Sequence, residues 1–96
     1  MRNNPPPPTE PHITVVVEGV ADAAVRAAIR HAIETVLHTA QVRGKWLIAV
    51  APSETRGRWD LAVKTPAGRH VTSFAAARLA DVPALAAQHV ARHLAK

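Results

Sequence analysis

The sequence predicts an α+β fold: a β-α-β-β-β-α two-layer sandwich with both helices on one face of a four-stranded mixed sheet. Three observations carry this prediction. The apolar periodicities alternate between period two and period 3.6 in that order, the last three strand patterns are joined by short turn-like segments, and each helical pattern carries a single apolar stripe. Strands joined by short loops must form an antiparallel meander. The first strand returns through a long helix, so it should lie parallel to its neighbour through a right-handed crossover.

Each element follows from its residues. Ile13, Val15 and Val17 alternate with His12, Thr14, Val16 and Glu18, the mark of a half-buried strand over Ile13 to Val17. Gly19 breaks it, and Asp22 is placed to cap a helix running to Gln41. Val25, Ile29, Ile33, Val36, Leu37 and Ala40 recur at steps of three and four and draw its apolar stripe. Arg26, Arg30, Glu34 and His38 form a second row on another face, with Arg30 and Glu34 at the spacing of an ion pair. Gly44 marks the end of the helical region.

Trp46, Ile48 and Val50 alternate with Leu47 and Ala49, so the second strand is apolar on both faces and belongs in a covered position. Pro52 to Arg58 reads as a hairpin loop. Trp59, Leu61 and Val63 form the inner face of a third strand, opposite Asp60, Ala62 and Lys64, and Pro66-Ala67-Gly68 is a turn signal. His70 to Phe74 forms a fourth strand, with either Val71 or Phe74 as its buried member. Ala75 to Ala80 connects, with some helical character. Asp81 is expected to cap the final helix, which runs to Leu94 with Pro83 in its first turn. Its inner stripe is Val82, Leu85 or Ala86, Val90 and Leu94, flanked by His89 and His93. Trp46 and Trp59 are in phase with the apolar faces of their strands and read as core.

The 96 residues divide into a Pro-rich leader over 1–11, expected to be disordered, and one domain over 12–96. A domain of this size buries only roughly 60–65% of the surface of its unfolded chain. That favours a single core layer over a deep catalytic cleft. Twelve Lys plus Arg against seven Asp plus Glu give a formal charge of +5, which can steer the domain toward an anionic partner or simply keep a small domain soluble. The chain has no cysteine, hence no disulfide framework and no thiolate metal site, in keeping with a cytoplasmic setting. No apolar run approaches membrane-spanning length, so no membrane partner is expected.

The order of elements and several residue runs resemble the short hibernation-promoting factors and ribosome-associated inhibitors of bacteria. The likeness rests on Ile13-Thr14-Val15-Val16-Val17-Glu18-Gly19 and on the helix from Asp22 with Arg26 and Arg30. It continues with Asp60-Leu61-Ala62-Val63, the glycine turn, Arg69-His70-Val71-Thr72-Ser73, and the closing Arg92-His93-Leu94-Ala95-Lys96. It covers residues 13–96. The resemblance implies a non-catalytic protein whose partner is ribosomal RNA of the small subunit, bound in the channel used by messenger and transfer RNA. The fold also resembles the double-stranded-RNA-binding domain, but Ala76-Ala77-Arg78 stands where that domain has a lysine pair.

The candidate RNA-binding residues are Arg26, Arg30, Lys64, Arg69, Arg78, Arg92 and Lys96. Basic residues three or four apart on a helix present charge along one line and can follow successive phosphates, each guanidinium gripping two oxygens. On this reading Arg26, Arg30, Arg92 and Lys96 converge into one stripe if the helices share a face. His89 and His93 have the i, i+4 spacing of two metal ligands but lack a third, so no metal or cofactor is expected. Ser53 and Ser73 sit in no nucleophile motif, and no enzyme activity is expected. The alternative reading is a protein-interaction or self-association module. It would use the bare sheet face, where Val16, Leu47, Ala49 and Ala62 fall, or pair edge strands into a homodimer.

Overall fold

The structure, a computed structural model, describes residues 12–95. The Pro-rich leader over 1–11 and Lys96 lie outside the described residues. The elements are β1 (His12–Val17), α1 (Ala23–Thr39), β2 (Lys45–Pro52), β3 (Arg58–Thr65), β4 (Gly68–Ala75), one turn of 3-10 helix (Leu79–Asp81) and α2 (Val82–Leu94). The sheet order is β1-β2-β3-β4, with β1 parallel to β2 and the other pairs antiparallel. This is the predicted α+β sandwich.

Period-two alternation sorts every strand into two faces. Val15, Ile48, Val50, Trp59, Leu61, Val63 and Phe74 project to the covered face and are buried. Ile29, Ile33 and Leu37 of α1 meet them, as do Val82, Ala86 and Val90 of α2, all with no exposed surface. Both helices therefore lie on one face of the sheet. Ala86 rather than Leu85 is the fully buried residue at the centre of α2, and Leu85 packs partly buried against the same core. Phe74 is the buried member of β4, and Val71 is 63% exposed.

Asp22 caps α1 as its position demands: its Oδ1 accepts from the amides of Ala24 at 2.8 Å and Val25 at 3.3 Å. The helix stops at Thr39, short of the expected end, because Gln41 turns left-handed with φ 56°. Asp81 does not cap α2. The preceding 3-10 turn holds it at φ −86°, ψ −15°, already helical, and its carboxylate instead meets the Arg78 Nε at 3.4 Å.

Two glycines set the ends of the sheet. Gly19 has φ 72°, and a Cβ there would sit 2.6 Å from the Pro52 Cδ. Gly44 has φ 83°, and a Cβ there would sit 2.7 Å from the Pro66 Cγ. Each lets a loop press against a proline, Pro52 at the end of β2 and Pro66 in the β3–β4 turn. Gly44 also accepts from the His12 amide at 2.9 Å, which starts the β1–β2 pairing and fixes Lys45 beside it.

Candidate nucleic-acid interface

Chain direction determines where the charges go. β1, β2 and β4 run one way, and α1 and α2 return the other way. The C-terminal turns of the two helices lie side by side, with Val36 and Ala40 close to Ala91 and Leu94. One end of the domain thus gathers the starts of β1, β2 and β4, the end of β3 and the C-termini of both helices. Arg43, Lys45, Lys64, Arg69 and Arg92 all fall at this end. The C-terminal ends of two helix dipoles are negative and favour cations there. The carboxylates Glu18, Asp22, Glu54, Asp60 and Asp81 fall toward the other end. One further carboxylate, Glu34, lies on α1 less than two turns from this end, and Arg26, Arg56, Arg58 and Arg78 lie at the end that carries the other carboxylates.

The pole continues onto the uncovered sheet face. A shallow groove there is lined by His12, Thr14, Lys45, Leu47 and Lys64, with Pro66 at its end. Lys64 and Arg69 are directly paired across β3 and β4, and Leu47 is paired with Lys64 across β2 and β3. Lys45, Lys64 and Arg69 are exposed and, among the described residues, their side chains enter no hydrogen bond or ion pair.

Around the β4 edge the pole reaches α2. Arg92 shares a small cleft with His70, Thr72, His89 and His93 over a floor of Leu61 and Val63. The His70 and His93 rings meet edge to face at 4.7 Å, His93 meets Trp46 at 6.3 Å, and His89 stacks on Phe74 at 5.2 Å. Burial, followed by the nearby Arg92 charge, pushes the His89 imidazole below its usual value of 6.5. Trp46 is half-buried and its indole donates to the Arg43 carbonyl at 2.9 Å, so the ring also pins the α1–β2 loop.

No protein-family model matches this chain, and no curated protein matches it in sequence.

The structure brings together three of the seven residues singled out from the sequence: Lys64, Arg69 and Arg92. Lys96 lies outside the described residues. Arg26 and Arg78 are at the opposite end and are engaged within the chain. The Arg26 guanidinium donates through Nη1 to the Val20 carbonyl at 2.7 Å and the Ala21 carbonyl at 2.9 Å, clamping the β1–α1 loop. Arg78 pairs with Asp81. Arg30 is exposed midway along α1, and among the described residues no ion pair joins it to Glu34.

The expected stripe of Arg26, Arg30 and Arg92 does not form. The helices share a face, but Arg26 and Arg30 occupy the flank of α1 turned away from α2, while Arg92 faces β4. The parallel helices also set Arg26 about ten residues, or roughly 15 Å, from the level of Arg92. Lys45 and Arg43 were not singled out from the sequence. Lys45 was legible in principle, since it shares the parity of Leu47 on β2. Arg43 had no such signal, because only the parallel return of α1 carries its loop to this end. The histidine pair on α2 belongs to ring packing, and among the described residues no group of three or more potential ligands is arranged for a metal ion. Among the same residues, no helix is long and apolar enough to cross a membrane.

Proposed function

We propose that this domain is a non-catalytic, cytoplasmic RNA-binding protein that grips the phosphate backbone of structured RNA through its basic pole. The observation that carries this reading is the convergence of Arg43, Lys45, Lys64, Arg69 and Arg92 on one end, where Glu34 is the nearest carboxylate, while Glu18, Asp22, Glu54, Asp60 and Asp81 share the other end with Arg26, Arg56, Arg58 and Arg78. A charge of +5 spread evenly would keep a small domain soluble without concentrating its excess at one end. A polarised charge orients the molecule on approach to a polyanion, and multiple cations release multiple counterions on contact. Duplex or folded RNA fits better than unpaired bases. Trp59 and Phe74 are buried and Trp46 is half-buried, so no aromatic platform is offered for base stacking.

The resemblance to hibernation factors makes ribosomal RNA of the small subunit the first target to test. Docking there would hold the ribosome inactive by occupancy, with no bond made or broken. Titration of a labelled RNA hairpin across a salt series tests the general claim. With three to five phosphate contacts, log affinity should fall against log salt with a slope of roughly −2.7 to −4.5. A slope near zero, or no binding at low salt, would exclude the proposed interface.

A further inference from the structure

We infer that the uncovered sheet face pairs with the same face of a second copy about a two-fold axis perpendicular to the strands. The outward side chains form three successive rows across the sheet. Thr14, Leu47, Lys64 and Arg69 make the row nearest the basic pole; Val16, Ala49, Ala62 and Val71 make the central row. The third row is Ala51, Asp60 and Ser73, with Glu18 extending β1 through its amide bond to the Val50 carbonyl at 2.9 Å.

The face thus carries Lys64 and Arg69 on one side of an apolar centre and Asp60 and Glu18 on the other, where the Arg58 guanidinium also reaches in to donate to the Ser73 hydroxyl at 2.9 Å. A two-fold axis along the central row lays that row on itself and the basic row of each copy over the acidic row of the other. Lys64 of one copy then meets Asp60 of its mate, twice by symmetry. Leu47 meets Ala51 and Thr14 meets Glu18, while Arg69 meets Ser73, whose hydroxyl already accepts from Arg58, so the Lys64–Asp60 pairs carry the charge complementarity. Such an arrangement is self-complementary, as a closed dimer requires. It also answers two features of the single chain. Val16, Leu47 and Val71 are 38%, 40% and 63% exposed, three of the four large apolar side chains so exposed among the described residues. Lys64 and Asp60 have no partner within the chain among the described residues.

The paired area is small. Three rows over four strands span roughly 400 Å² per copy at ordinary sheet spacings. The total of about 800 Å² is below the roughly 1,200 Å² of stable specific interfaces, so the dimer is concentration-dependent.

Sedimentation equilibrium of the full chain from about 5 µM to about 500 µM tests this, because weak interfaces dissociate in that range. The wild type should pass from monomer to dimer. Lys64→Glu sets two acids against each other in both symmetric pairs, and Asp60→Lys sets two cations against each other. Each should weaken association by about tenfold or more. The Lys64→Glu, Asp60→Lys double variant has the wild-type net charge and should recover the dimer. A chain that stays monomeric throughout, or a double variant no better than the single ones, overturns the pairing. Association indifferent to both single changes would place the contact on an edge strand and overturns it equally. Because the test contains no RNA, its outcome is separate from that of the RNA-binding reading.

Discussion

Lys64 and Arg69 stand directly opposite each other across β3 and β4, two like charges on the uncovered face with no carboxylate in their row. Like charges in this relation destabilise a sheet. Arg69→Thr should therefore raise stability by about 0.2–1 kcal/mol while lowering RNA affinity. Thermal unfolding and RNA titration on the same sample check both halves. A variant that loses stability and keeps its RNA affinity would remove the reason for assigning this pair to an interface.

Arg26 predicts the opposite pattern. Its guanidinium holds two loop carbonyls, those of Val20 and Ala21. Arg26→Met keeps much of the apolar stem and removes both bonds. It should cost about 1–3 kcal/mol in chemical denaturation. RNA affinity at fixed salt should stay close to that of the wild type, since Arg26 lies far from the basic pole.

Much of the fold was legible because the sheet has one covered face and each helix one apolar stripe. Ile13, Val15 and Val17 announce β1, and Ile29, Ile33 and Leu37 announce the buried line of α1. What was not legible depends on the third dimension. Asp81 has the residue type of a cap, but a 3-10 turn ahead of it places it inside the helical path. Arg26 and Arg92 each lie on a helix face that periodicity identifies as outward. Periodicity does not say that the two outward faces point to opposite edges of the sheet. The basic pole exists because parallel helices and a meander bring five separated cations to one end, a property of chain direction rather than of any local motif.

Backbone strain at the other end gives a third prediction. Gly19→Ala places a Cβ at positive φ and 2.6 Å from the Pro52 Cδ, a rigid ring atom. The variant should lose about 1–3 kcal/mol, visible as a lower denaturant midpoint. Gly57→Ala serves as the control: it also has positive φ, but a Cβ there meets nothing within 4 Å, so its loss should be smaller.

His89 sets a pH dependence. Its folded value is lowered below 6.5, so the unfolded chain takes up the proton first as pH falls. Stability from this group is full above that value and declines as pH drops through it toward the lowered folded value. His89→Gln should flatten the dependence of melting temperature on pH between about pH 7.5 and about pH 5.5. An unchanged pH profile in the variant would show that the ring stacked on Phe74 does not govern it.

RNA and the second copy would compete for Lys64. If both inferences hold, adding an RNA hairpin to concentrated protein should convert dimer to a monomer–RNA complex, read by sedimentation velocity. RNA bound by an intact dimer would place the RNA contact elsewhere on the pole, on Arg43 and Arg92.

The most direct test of the RNA-binding account is co-sedimentation of the purified chain with bacterial ribosomes across a salt series, beside a Lys64→Glu, Arg69→Glu, Arg92→Glu variant. The account predicts near-stoichiometric wild-type binding at low salt, a steep fall as salt rises, and loss of binding in the variant. Absence of wild-type binding at low salt, or a variant that binds as the wild type does, would contradict it.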